Sequence, residues 1–203
     1  MGEGGADRVP PFVALTGGIG AGKSTALAAL ERLGAVVIST DAVVHELYLS
    51  ARVRDAVVTR FGAGVAPGGV VDRGRLATVA FQTAENRSWL EGLLWPLVRE
   101  RVGQWRRESE QTVPPPRALV VEVPLLFEAG LDGLYDATVT VTAQEAVRRE
   151  RASARAHEAM DEREARQLSQ AEKAARATYV VANDGDVNEL ERKLSSVLVM
   201  LGV

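Results

Sequence analysis

The 203-residue chain contains no cysteine and only two histidines, His45 and His157. Disulfides, thiolate zinc centres and cysteine nucleophiles are thereby excluded, and so is a histidine-rich metal site. Neither sign of charge dominates. The formal net charge of −3 gives no electrostatic footprint for nucleic acid, so a polyanionic ligand must be met by a local cluster. No run approaches the roughly 18 apolar residues of a membrane span. The first residues, Met1 to Pro11, are rich in glycine and charge and lack an apolar segment, so neither a signal peptide nor an anchor is expected. Ala6 stands where a myristoylation signal requires Ser or Thr. With 46% hydrophobic and 25% charged residues, the expectation is an ordinary soluble, cytoplasmic enzyme. Its length suits one substantial core with a lobe or lid, but not two large domains.

What is present is a loop. Residues 17 to 24, Gly17-Gly18-Ile19-Gly20-Ala21-Gly22-Lys23-Ser24, fit G-x-x-x-x-G-K-[S/T] without a mismatch. An apolar run, Phe12-Val13-Ala14-Leu15, supplies a buried strand before it, and Ala26 to Leu33 supplies a helix after it. The glycines allow a tight turn whose N–H groups point inward as a cradle for anionic oxygens, above the positive end of the helix. Gly18, Ile19, Gly20, Ala21, Gly22, Lys23, Ser24 and Thr25 are therefore candidate nucleotide-binding residues. Lys23 would reach the outer phosphates of ATP, and the Ser24 hydroxyl would sit on Mg2+. The competing reading, a glycine-rich turn with a chance lysine, fits poorly because strand, pattern and helix agree.

Gly34 is expected to stop the first helix, and Ala35 to Ile38 forms a second buried strand. Ser39-Thr40-Asp41 then leads into another helix, which sets Asp41 where strand hands over to helix, at the ligand edge of an open α/β sheet. From Val53 to Trp105 the pattern is mainly helical, with a glycine-rich loop over 62 to 72 and Pro96 inside the longest helix. Trp89 and Trp95 read as core residues rather than ligand stackers. Ala118 to Val123 has the near-continuous apolar character of a central parallel strand, and Pro124-Leu125-Leu126-Phe127-Glu128 follows it. A fourth strand spans about 137 to 142. The region from Gln144 to Ala177 carries seven arginines and reads as a solvated, mobile helical element. Within it Arg151 and Arg155, spaced i, i+4, share one helix face. Tyr179 to Ala182 is a fifth strand, and an amphipathic helix over 188 to 201 closes the chain.

Strands alternating with helices imply a parallel sheet covered on both faces. The expected fold is α/β: a three-layer P-loop NTPase fold with a five-stranded parallel sheet, a helical substrate lobe and a helical lid. The expected divisions are a nucleotide-binding core of 12–41, 114–143 and 177–203, a lobe of 42–113, a lid of 144–176 and an N-terminal tail of 1–11. A regulatory GTPase would need Asn-Lys-x-Asp and Asp-x-x-Gly, and neither occurs. A small-molecule kinase is favoured, with nucleotide or shikimate kinases and a non-catalytic nucleotide-binding module as rivals.

The Thr16 to Thr25 loop, Asp41, Asp72-Arg73, Arg75-Leu76, Phe81, Asn86, Trp89-Leu90, Leu93-Leu94, Val123 to Glu128 and Ala177 to Gly185 together resemble the dephospho-CoA kinase family. The likeness runs in order from about residue 12 to residue 190. It implies ATP-dependent phosphorylation of the ribose 3′-hydroxyl of dephospho-CoA. From charge and hydropathy no nucleic-acid or membrane partner is expected, and the chain is expected as a monomer or small homo-oligomer. The resemblance also implies that Asp41 is the base at the acceptor hydroxyl, where a helix N-cap is the alternative role. Arg151 and Arg155 match the family's lid arginines in spacing, and Asn183 would meet the adenine. Departures exist. Ser39 stands where the family has a first carboxylate, which makes Glu122 a substitute candidate for magnesium, and Trp95-Pro96 replaces His-Pro. The lid matches poorly and is shortened.

Overall fold

The computed structural model describes residues 9–148 and 167–203. They divide into two compact units, Met1–Ser39 with Arg106–Val203, and Thr40–Trp105.

The first unit is built on a parallel sheet of β1 (Phe12–Gly17), β2 (Val36–Ser39), β3 (Leu119–Glu122), β4 (Ala137–Thr142) and β5 (Tyr179–Ala182). Their spatial order is β2-β3-β1-β4-β5. β1 is buried along its whole length, as the apolar run Phe12 to Leu15 requires. Alternation along the strands sends Val13, Leu15, Val120, Val139 and Val141 to one face. There they pack with Ala26, Ala29 and Leu30 of α1 (Lys23–Arg32) and with Leu190, Leu194 and Leu198 of the closing helix, Val187–Met200. The opposite face is less apolar. Thr16, Thr138 and Thr140 are all buried there, beside a short helix at Gln170–Arg176 that packs on β4 and β1. Thr138 and Thr178 close the β4–β5 junction reciprocally, each backbone N–H donating to the other's hydroxyl at 3.1 and 2.9 Å. On the same face Phe12 stacks on Tyr135 with centroids 4.7 Å apart, and burial pushes the Tyr135 phenol up to about 12.

The second unit holds α2 (Thr40–Leu49), α3 (Ala51–Phe61), α4 (Arg73–Ala80) and α5 (Ala84–Glu110) as far as Trp105. Ser50 caps α3 and Asp72 caps α4, each side-chain oxygen accepting a backbone N–H of the first turn. Its core gathers Val53, Val57, Val65, Leu76, Leu90 and Leu94. Trp89 joins this core, edge-on to Phe61 at 5.3 Å. Trp95 does not: expected as core, it is 56% exposed, because six residues beyond Trp89 on the same helix it points about 120° away from it. Asn86, one of the residues carrying the family resemblance, is structural here. Its amide nitrogen donates to the Val79 carbonyl at 3.2 Å.

Both unit boundaries differ from those expected. The chain changes unit at Ser39/Thr40 and Trp105/Arg106, inside the continuous helix α5, because the last turns of α5 pack on the sheet: the Arg106 guanidinium lies 4.3 Å from the centroid of the Phe12 ring. The helix at Gln170–Arg176, expected within a solvated lid, is instead anchored on the sheet. Its Lys173 is fully buried. It and the closing helix are numbered α6 and α7.

Candidate nucleotide-binding site

The loop between β1 and α1 is held in shape by its neighbours. Gly17, the last residue of β1, pairs with Val141 of β4, and a Cβ at Gly17 would collide with the Val141 carbonyl oxygen. Gly22 caps α1 with φ 92° and ψ 31°, a left-handed conformation that glycine alone adopts without strain. Within the loop the Ala21 N–H donates to the Gly18 carbonyl at 3.2 Å. Lys23 Nζ donates to the carbonyls of Gly17 and Gly18 at 3.0 and 3.2 Å, which keeps the ammonium on the loop. Ser24 and Thr25 are exposed in the first turn of α1, which has no acidic residue to offset its positive end. The arrangement suits an anionic ligand.

At the same carboxyl edge, Glu122 ends β3 in register with Leu15 of β1 and Ser39 of β2. It shares the Leu15 and Val120 face, the one α1 covers, and is only 8% exposed. Asn183, which follows β5, is 3% exposed. Its Nδ2 donates to the Ala21 carbonyl at 2.9 Å, which ties the side chain to the phosphate loop. Next to it, Asp184 accepts from the Gln144 N–H at 2.6 Å, joining the β5 exit to the β4 exit.

Arg148 was missed from the sequence. Its Nε donates to the Ile19 carbonyl at 2.9 Å, its guanidinium pairs with Glu145 at 3.0 Å, and its backbone packs against Gly20. A signal for it existed. β4 neighbours β1, so the chain leaving β4 at Thr142 must emerge beside the loop that leaves β1, and Arg148 lies six residues on. Arg151 and Arg155 lie outside the described residues. Asp41 belongs to the second unit, in the first turn of α2 and exposed. Its carboxylate makes no hydrogen bond to another described residue, and α2 has already begun at Thr40, which argues against a cap.

A parallel sheet of this order, with a glycine loop and lysine joining its central strand to a helix, defines a nucleotide-binding protein of the P-loop kinase class. The family is narrower. The dephospho-CoA kinase family model matches residues 11–189, and the chain belongs to that family. A relative from Moorella thermoacetica named dephospho-CoA kinase is 41% identical over 181 residues, covering 87% of this chain and 85% of its own. Another of that name, from Symbiobacterium thermophilum, is 35% identical and covers 91% and 79%. Among solved structures, TT1252 from Thermus thermophilus superposes with a TM-score of 0.75 at 34% identity, covering 96% of this chain and 99% of that one. A shikimate kinase from Bacteroides thetaiotaomicron, with a TM-score of 0.51 at 17% identity over 95% and 99%, shares the fold.

Proposed function

We propose that this protein is a dephospho-CoA kinase, transferring the γ-phosphoryl group of ATP to the ribose 3′-hydroxyl of dephospho-CoA to give coenzyme A. The observation that carries this is the intact Gly17 to Ser24 loop at the centre of a chain matching the family across residues 11–189.

Among the described residues, no three His, Asp or Glu side chains come together as a metal centre. Mg2+ does not require one. It keeps several waters and takes one or two hard oxygen ligands beside substrate phosphates. The exposed Ser24 hydroxyl and the Glu122 carboxylate are such donors. Glu122 pairs in register with Ser39 of β2, which supports it as the substitute for the carboxylate that β2 lacks. Bound there, Mg2+ would neutralise charge on the phosphate oxygens.

The protein's own groups then have distinct tasks. Lys23 exchanges its two loop carbonyls for phosphate oxygens and stabilises their charge. Asp41 orients the acceptor hydroxyl and accepts its proton as the phosphoryl group arrives. Arg151 and Arg155 stabilise the charge on the group in flight. No helix among the described residues is long and apolar enough to cross a membrane, and a cytoplasmic location suits this activity. A coupled ADP-release assay with dephospho-CoA, AMP, adenosine and shikimate as acceptors tests the reading. Turnover is expected with dephospho-CoA, and its absence with that acceptor would refute the proposal.

A further inference from the structure

Lys173 is the largest fully buried side chain among the described residues, and it is charged. Its Nζ lies 2.9 Å from Glu128 Oε1 and 3.2 Å from Oε2, and donates to the Pro124 carbonyl at 2.7 Å. Neither partner is spare. Glu128 Oε1 also accepts the Leu168 N–H at 2.8 Å, and the Pro124 carbonyl also accepts from the Thr16 hydroxyl at 3.4 Å. One ammonium therefore joins the residue before the phosphate loop, the exit of β3 just past Glu122, and the chain entering α6.

The neighbouring side chains of α6 work alike. Gln170 and Arg176 each lie three residues from Lys173, so they flank it on the helix surface. Gln170 grips Ala143, the first residue after β4, from both sides: its Oε1 accepts the Ala143 N–H at 2.9 Å and its Nε2 donates to the Ala143 carbonyl at 3.0 Å. Its Cγ also packs against Gly18 of the loop. Arg176 donates to the Phe127 carbonyl at 3.2 Å, covers the Phe127 ring at 4.8 Å and pairs with Asp132 at 3.3 Å. Three successive side chains thus hold the exits of β1, β3 and β4, the strands that carry Gly17, Glu122 and the approach to Arg148.

A buried ion pair is a poor way to gain stability, since apolar side chains of equal volume usually serve as well or better. It does fix atoms in direction and distance. We infer that Lys173 and Glu128 are positioning residues for phosphoryl transfer, setting the placement of the β1 and β3 exits through the Pro124 carbonyl. The inference rests on the kinase reading above. It requires the pair for rate rather than for folding, because transfer depends on alignment that a shift of about 1 Å can cost a hundredfold.

The test compares the full-length protein with Lys173→Met, Glu128→Gln and the double variant Lys173→Met/Glu128→Leu, by thermal unfolding and by kcat and KM for ATP and dephospho-CoA. Lys173→Met alone leaves a buried carboxylate uncompensated and should be the least stable. The double variant should melt near the parent yet keep a kcat at least about tenfold lower, and Glu128→Gln should lie between. A double variant that regains the parent's kcat would overturn the inference, as would a Glu128→Gln protein of parental kcat. If only the pair's folding role mattered, kcat would follow the melting temperature across all three, and that too would overturn it. Turnover by the unaltered protein is scored separately, so a failed kinase reading is not confused with a failed positioning role.

Discussion

Asn183→Ala separates a loop brace from a base-reading residue. Asn183 is buried at 3% exposure, and its Nδ2 donates at 2.9 Å to the carbonyl of Ala21, which is itself fully buried. Truncation removes a hydrogen bond of net worth about 1 kcal/mol and leaves a buried carbonyl short of its donor, at about 1–2 kcal/mol more. The sum of about 2–3 kcal/mol lowers the melting temperature by about 4–12 °C for a chain of this size. Because Ala21 belongs to the phosphate loop, part of that energy should also appear in ligand binding. If about half of it does, ATP affinity falls about tenfold, since 1.4 kcal/mol is a factor of ten. Thermal unfolding followed by circular dichroism, with and without ATP, and titration calorimetry measure both quantities. A base-reading residue would behave differently: the protein would melt as before, and the preference for ATP over GTP would narrow. An unchanged melting temperature with lost base preference would refute the brace.

Asp41→Asn should leave ATP binding intact and lower kcat by about a hundredfold or more, as expected for loss of a general base, and steady-state kinetics would show whether it does. Gly17→Ala should cost about 3 kcal/mol in urea unfolding, because the new Cβ meets a backbone carbonyl of a paired strand and not a side chain that can turn away. Ser169 and its N–H hold the Glu172 carboxyl below the ordinary carboxylate range in a capping box on α6. That support is present above the ordinary carboxylate pKa and disappears as pH falls through the lowered value. In Ser169→Ala, an NMR titration should find Glu172 moved back up, and an unmoved midpoint would contradict the assignment.

The elements were largely legible because their signals are local. The apolar run from Phe12, the strand expected over about 137 to 142 and the glycine-lysine loop announced β1, β4 and α1; the strands lie where expected to within a residue or two, and α1 begins three residues earlier, at Lys23. The contacts that were not legible depend on partners far away in sequence. Lys173, in an arginine-rich helical stretch, reads as solvated, and nothing near it reveals Glu128, 45 residues earlier. Asn183 sits in an ordinary polar turn, yet its partner Ala21 is 162 residues away. Trp95, expected in the core as a large aromatic, is exposed because it lies off the apolar face that Trp89, Leu90 and Leu94 share.

By itself, then, the sequence determined the phosphate loop, the strand and helix order and the family. Each is written in contiguous residues whose spacing follows from strand and helix geometry and from the shape of a phosphate cradle. Only the tertiary structure decided that Asn183 braces that loop, that Arg148 lies over it and that a buried Lys173 ties the strand exits together. Each of those depends on which strands became neighbours, since β1 lies between β3 and β4 and brings their exits to one edge of the sheet.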